Sequence, residues 1–359
     1  MELNERTSKP IFIDHIPDRE ITYEGRNYLF FSGTAYLGLP QSPAFRALLT
    51  DSMARYGTAF GSSRNGNLQL NVYDEAEAKL ARWVGAEAAL TLSSGMMAGQ
   101  VIVNYLRGQR ATFIYGPYAH PALWHDPDVQ PPTLPFADWA HRLPVQIRSL
   151  PPGPVAILTN SVNGVRSDYY SFDWLPELPD DRPITLVVDD SHGLGVLNDG
   201  RGIWPQLVHK QNVSLLVTAS LAKGMGLPGG AVFSSAGTIN SLRQTAFFGA
   251  CSPMPPAYAD AFLHADALYA EGRDRLYENI RLAEKLLMPT GLFHHAPGYP
   301  VFFTEQDDLY SFLLERGILV YSFAYPTVND RANTRIVISA FHTVDDIQTL
   351  ANAVYEYVF

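Results

Sequence analysis

The sequence predicts an α/β protein: a three-layer, mainly parallel sheet followed by a smaller α+β domain. Three features predict it. Short, almost wholly apolar runs recur at 88–92, 111–115, 155–159, 185–189, 214–218 and 231–234. The stretches between them carry helical spacing, and the pattern changes after Pro253-Met254-Pro255-Pro256. A strand with one wet face alternates apolar and polar residues, whereas continuous apolar runs of this length suit strands covered on both faces.

In chain order, residues 1–40 read as an arm with a hairpin. Ile21-Thr22-Tyr23 and Tyr28-Leu29-Phe30-Phe31 flank a Glu24-Gly25-Arg26-Asn27 turn. A helix over 42–56 leads into a Gly/Ser-rich loop from Gly57 to Arg64. Val72, Ala76, Leu80 and Val84 then fall at helical spacing, with Gly85 where a C-terminal cap belongs. Residues 41–253 are assigned to the large α/β domain and 254–359 to the small one. In the latter, helices are expected over 257–271, 277–287 and 309–316, and strands near 301–303, 318–321 and 335–339. The last helix starts at Thr343, where Thr343-Val344-Asp345-Asp346 resembles a capping box.

Composition narrows the function classes. Of the 359 residues, 47% are hydrophobic and 17% charged, which is globular rather than disordered. A net charge of −10 argues against a general nucleic-acid or anionic-membrane binder, and it disfavours docking an acidic carrier protein without a basic patch. The single cysteine, Cys251, rules out an intrachain disulfide framework and suits a reducing compartment. The start of the chain lacks an apolar signal-type core, and no run of 18 apolar residues occurs, so a cytoplasmic protein without a membrane span is expected.

Ligands of open α/β sheets bind beyond the carboxyl ends of the strands, so the polar residues after each run are the candidates. They are Ser93-Ser94-Gly95-Met96, Gly116 to His120, Asn160-Ser161, Asp189-Asp190-Ser191-His192 and Ser220 to Lys223. A lysine, carboxylates, imidazoles and hydroxyls thus converge on one edge. That set suits pyridoxal phosphate. Its aldehyde needs an amine to form a Schiff base, for which Lys223 is the candidate. Its ring nitrogen works best protonated beside a carboxylate, for which Asp189 stands at a strand end. Its phosphate needs amides at a helix N-terminus, here Ser94, Gly95 and Met96 with the helix running from Met97, plus the Ser220 hydroxyl. His120 offers a plane over the ring.

Blander readings exist for each residue. Lysines are mostly solvated, Asp189-Asp190 can cap a helix, His192 can satisfy a loop carbonyl, and Arg335 can pair with a surface carboxylate. His120 and His125 are on different helical faces, and with His294-His295 elsewhere no zinc site is expected. Gly224-Met225-Gly226-Leu227-Pro228-Gly229 fits the dinucleotide fingerprint but leads into a strand rather than a helix, so it is rejected. Its glycines are expected to let the chain pass close to the cofactor.

In these motifs the chain resembles the α-oxoamine synthases, pyridoxal-phosphate enzymes of the aspartate-aminotransferase fold (fold type I). Tyr36-Leu37-Gly38-Leu39, the loop Tyr56 to Arg64, Ser93 to Ala98, His120, Val188 to Gly195, Ser220 to Gly226, Met254-Pro255-Pro256 and Arg335 to His342 match in family order. The resemblance implies that Asp189 serves the ring nitrogen and His192 the phenolic oxygen. It implies that His120 stacks on the ring, that Ser252 reaches a partner's phosphate, and that Arg335 binds the amino-acid carboxylate. A homodimer with active sites at the subunit boundary is also implied. Pro326-Thr327-Val328 looks like the biotin-pathway branch, which implies condensation of L-alanine with a pimeloyl thioester of coenzyme A or a carrier protein. Alternatives are glycine, serine or 2-aminobutyrate with another acyl chain, an aminotransferase or lyase of the same fold, or a non-catalytic remnant. Departures from the family pattern fall at Thr34 and Gly164, on the substrate side, and at Gly116. Thr34 and Thr327 are the remaining candidate substrate contacts.

Overall fold

The computed structural model describes residues 11–324 and 332–359. The chain divides into two compact units, one of residues 43–162 and 169–266, the other of 1–42, 163–168 and 267–359. The expected boundary near residue 254 falls before the helix Pro256–Leu263, which groups with the large unit. The small unit draws on both ends of the chain.

The hairpin consists of β1 (Glu20–Tyr23) and β2 (Arg26–Phe30), paired antiparallel with Tyr23 opposite Arg26. Its turn is the two residues Glu24 and Gly25, both at positive φ (50° and 74°), rather than the four expected. That is the backbone hand a tight hairpin turn requires.

In the large unit, α1 (Pro43–Tyr56) and α2 (Asn71–Val84) precede the sheet, and α2 ends on Gly85 in the left-handed region, as its spacing predicts. The sheet strands are β3 (Ala88–Leu92), β4 (Thr112–Tyr115), β5 (Val155–Asn160), β6 (Ile184–Asp189), β7 (Val213–Ser220) and β8 (Gly230–Ser234). Their spatial order is β3-β8-β7-β6-β5-β4. β4, β5, β6 and β7 run parallel, and β8 lies antiparallel between β7 and β3. The carboxyl ends of five strands therefore share one edge with the start of β8. Register places Asn160 beside Asp189 and Asp189 beside Thr218, with Gly230 paired to both Ser220 and Leu92.

Helix α3 (Gly95–Gly108) covers one face of this sheet: Ala98, Val101, Ile102 and Leu106 pack with Leu90, Ala156, Leu158, Val187, Leu216 and Val232. The residues pointing the other way, Ile157, Leu186, Val188 and Val217, are as deeply buried. Burial on both faces is what the unbroken apolar runs encode.

The helices expected over 257–271 and 277–287 are instead Pro256–Leu263, in the large unit, and a single helix Asp266–Leu287. Gly272 does not break the latter, because a side chain there would meet the Leu37 carbonyl oxygen at 2.9 Å; glycine permits that approach. The expected strand at 318–321 is also divided. Ile318-Leu319 pairs parallel to β2, while Tyr321–Ala324 joins a separate sheet with Val301–Thr304 and Ala332–Val337. The capping box at Thr343 is present on both sides, Asp346 N to Thr343 Oγ1 at 3.2 Å and Thr343 N to Asp346 Oδ2 at 2.8 Å.

Candidate active site

At the shared sheet edge, β6 ends in Asp189, which is 8% exposed. Its Oδ1 accepts the Ser191 amide at 2.9 Å, and Ser191 Oγ in turn accepts the Ser220 amide at 2.7 Å. Two neighbouring strand ends are thereby tied through one short turn. His120 Nδ1 lies 3.9 Å from Asp189 Oδ2. Burial pushes the His120 pKa below the usual histidine value; the Asp189 charge opposes this and the Lys223 charge reinforces it. His120 Nδ1 also accepts the Ala122 amide at 3.1 Å, which assigns the ring proton to Nε2.

The loop carrying His120 is held by Asn160, a strand-end candidate to which the sequence alone assigns no role. Asn160 Oδ1 accepts the His120 amide at 3.2 Å, and its Nδ2 donates to the Tyr118 carbonyl at 2.8 Å. Tyr118 sits at φ 54°, a left-handed conformation that such contacts maintain. Gly116 has a steric reason: a Cβ there would stand 2.5 Å from Thr159 Oγ1. The signal for Asn160 was its place at a strand end, the same signal that selected Asp189.

Helix α3 begins at Gly95, two residues before the expected start at Met97. Ser94 caps it, with Oγ accepting the Met97 amide at 3.2 Å, so the Gly95 and Met96 amides remain at the open first turn. A Cβ on Gly95 would lie 2.7 Å from Ser220 Cβ, and one on Gly230 would lie 2.2 Å from the Ser94 carbonyl oxygen. The helix start is thus seated directly on the ends of β7 and β8, with Ser220 beside its amides. Ser220 Oγ accepts the Ala222 amide at 3.3 Å.

Lys223 is half-buried in a tight turn, its carbonyl accepting the Gly226 amide at 3.1 Å while Leu227 donates to Leu221 O at 2.9 Å. Of the glycines expected to let the chain pass close to the cofactor, two lie against protein atoms. Gly224 faces the Leu194 carbonyl, and Gly229 faces Leu92 O and Met254. His192, also half-buried, lies on the loop after Asp189. Ser252 is exposed; its carbonyl is 3.3 Å from Cys251 Sγ, which lies 3.5 Å from Ser93 Oγ.

The large unit therefore brings Lys223, His120, Asp189, Ser94, Gly95, Met96 and Ser220 to one sheet edge. The small unit holds Arg335 and Thr34. Arg335 is 6% exposed and donates from Nη1 to the Gly164 carbonyl at 2.9 Å. Burial raises the Tyr36 phenol pKa, while the Arg335 charge and the Tyr299 hydroxyl, 3.5 Å away, draw it back. Thr34 is half-buried, and Thr327 lies outside the described residues.

This donor set fits pyridoxal phosphate. It joins an amine, a buried carboxylate, an imidazole beside that carboxylate, and a helix start whose Gly95 can take no side chain. Comparison with known proteins agrees. Residues 36–354 match the family model described as aminotransferase class I and II. The 8-amino-7-oxononanoate synthase of Nitrosomonas eutropha is 30% identical over 354 residues, covering 94% of this chain and 91% of the relative. That of Cronobacter sakazakii is 30% identical over 356 residues, covering 95% and 92%. Among solved structures, the serine palmitoyltransferase of Sphingomonas wittichii superposes with a TM-score of 0.81 at 19% identity, covering 96% of this chain and 91% of that one. The 8-amino-7-oxononanoate synthase of Francisella tularensis gives 0.68 at 22%, covering 92% and 99%. The chain belongs to the aminotransferase class I and II family and, within it, is a pyridoxal-phosphate-dependent acyltransferase of the α-oxoamine synthase type.

Proposed function

We propose that the chain condenses L-alanine with a pimeloyl thioester, of coenzyme A or a carrier protein, to give 8-amino-7-oxononanoate, carbon dioxide and free thiol. The observation that carries the chemistry is the meeting of Lys223, His120 and Asp189 at one sheet edge. Support for the substrates comes from relatives of that name, about 30% identical along nearly the whole chain.

Bound pyridoxal phosphate supplies an electron sink for negative charge on the amino acid's α-carbon. Lys223 Nζ would hold the cofactor through its aldehyde carbon and, with alanine bound, would take the proton from the amino acid's α-carbon. Asp189 would hold a proton on the ring nitrogen, which strengthens the sink. The Gly95 and Met96 amides, the Ser94 and Ser220 hydroxyls and, in a dimer, Ser252 of a second copy would hold the phosphate. His120, neutral at pH 7 because burial lowers its pKa, would lie against the ring, with His192 at the phenolic oxygen. Arg335 is assigned to the alanine carboxylate, and Thr34 and Thr327 to the substrates. A cytoplasmic homodimer completes the reading.

The test supplies alanine, glycine, serine and 2-aminobutyrate separately, each with pimeloyl and longer acyl thioesters, and assays free thiol. Thiol release with alanine and a pimeloyl thioester is expected, abolished in Lys223→Ala together with the visible absorbance of the lysine-linked cofactor. Release with another pair alone reassigns the substrates. Keto-acid conversion without thiol release makes the chain an aminotransferase.

A further inference from the structure

Asp190 has no place in the mechanism above, yet it is more deeply buried than Asp189, at 2% exposed. Successive residues at a strand end point to opposite sides. Asp189 meets His120, whereas the Asp190 carboxyl is wedged between two glycines. A Cβ on Gly193 would stand 2.0 Å from its Oδ1, and one on Gly202 would stand 1.9 Å from its Oδ2. Oδ2 accepts the Ile203 amide at 2.8 Å, and the Asp190 carbonyl accepts the Gly193 and Leu194 amides at 3.0 and 2.9 Å. One residue thus grips both ends of the loop 193–203.

The loop closes on itself, with Gly195 donating to the Gly200 carbonyl at 2.9 Å. Its outer contact is with the lysine turn. A Cβ on Gly224 would lie 2.4 Å from the Leu194 carbonyl oxygen, and one on Gly195 would lie 3.1 Å from the Gly224 carbonyl carbon. Gly224 follows Lys223 directly, so the backbone that Asp190 fixes is the backbone on which the Lys223 turn rests.

Burial raises the Asp190 pKa to about 7; the Ser161 hydroxyl and the Ile203 amide favour its charged form, and the Asp189 charge disfavours it. Among the described residues, no donor meets Oδ1 in good hydrogen-bond geometry. The group fills space and accepts a hydrogen bond, roles that need no charge.

We infer that Asp190 is a positioning residue that, through the loop 193–203, sets where Lys223 stands relative to Asp189 and His120. The inference rests on Lys223 carrying the cofactor, as proposed above. The experiment loads wild type, Asp190→Asn, Asp190→Ala and Gly193→Ala with pyridoxal phosphate and titrates the visible absorbance of the lysine-linked cofactor against pH. Melting temperatures are measured alongside. Asp190→Asn, a neutral isostere, keeps the wild-type midpoint to within about 0.2 pH unit. Asp190→Ala and Gly193→Ala, whose new Cβ displaces the carboxyl, move it by about 0.5 unit or more, roughly a threefold change in proton affinity. If Asp190→Ala does not fold, Gly193→Ala carries the test. Lower melting temperatures with an unmoved midpoint overturn the inference, as does an Asn variant that shifts as far as Ala. A wild type without the absorbance overturns the Lys223 assignment instead, and this inference with it.

Discussion

His342 makes the small unit sensitive to acid in a way that can be worked through. Its imidazole is 4% exposed and stacked on Phe31 at 4.1 Å. Nδ1 accepts the Ser339 amide at 3.0 Å and Nε2 faces the Phe30 carbonyl at 2.9 Å, so the neutral ring satisfies both partners and a proton on Nδ1 would lose one of them. Burial pushes its pKa down to about 4, against smaller upward pulls from the Phe30 carbonyl and Asp346. An unfolded histidine titrates near 6.5. Between those values the unfolded chain binds a proton that the folded chain refuses, so stability is fully present above pH 6.5 and is lost as pH falls toward 4. The gap of roughly 2.5 units is worth about 3 kcal/mol, a sizeable part of the roughly 5–15 kcal/mol that holds a typical domain. The assay is urea denaturation of wild type and His342→Gln at half-unit steps from pH 4 to 7.5. The difference between the two removes groups common to both, including Asp190. Asp190 has the opposite sign: its folded pKa is raised, so its contribution is present below about pH 4 and is lost as pH rises through about 7. The wild-type curve should steepen below pH 6.5 relative to the variant. Parallel curves across that window would refute the reasoning.

Two further outcomes follow from the large unit. Gly95→Ala puts a methyl 2.7 Å from Ser220 Cβ at the helix start, so cofactor affinity should fall about tenfold or more, about 1.4 kcal/mol, by fluorescence titration of the apoprotein; unchanged affinity would place the phosphate elsewhere. Leu106→Ala empties a fully buried position between α3 and the sheet and should cost about 2–5 kcal/mol in chemical denaturation.

What the sequence makes legible depends on the range of the physics involved. The sheet strands are local statements, because a run such as Val155 to Thr159 must be buried on both faces to leave water at all. Asp189 was found by the same logic, since a carboxylate ending such a run stands at the sheet edge. The Gly85 cap and the Thr343 capping box are readable for an equally local reason. Gly272 was not, because its tolerance inside a helix depends on Leu37, far away in sequence. Nor was the division at Val320, where a single apolar stretch serves two sheets. Arg335 meets the Gly164 carbonyl across 171 residues, a pairing that no spacing announces. The glycines after Lys223 showed in the sequence that something approaches closely, and the fold identifies the approaching atoms as Leu194, Leu92 and Met254.

The paired aspartates show why residue type alone underdetermines role. Asp189 and Asp190 are chemically identical neighbours, and a strand end turns them to opposite sides. One lies 3.9 Å from His120 at the edge where the lysine turn arrives. The other is enclosed by Gly193 and Gly202, where desolvation favours its protonated form. Neither glycine can gain a side chain without moving that carboxyl, and Gly224 cannot gain one without moving Leu194. Substitutions at Gly193, Gly202 and Gly224 should therefore act on the lysine turn through a common path, although the three lie on different stretches of chain. A catalytic amine must be held to a fraction of an ångström, and with Lys223 in the proposed role that task would fall to this mesh of backbone and one buried acid.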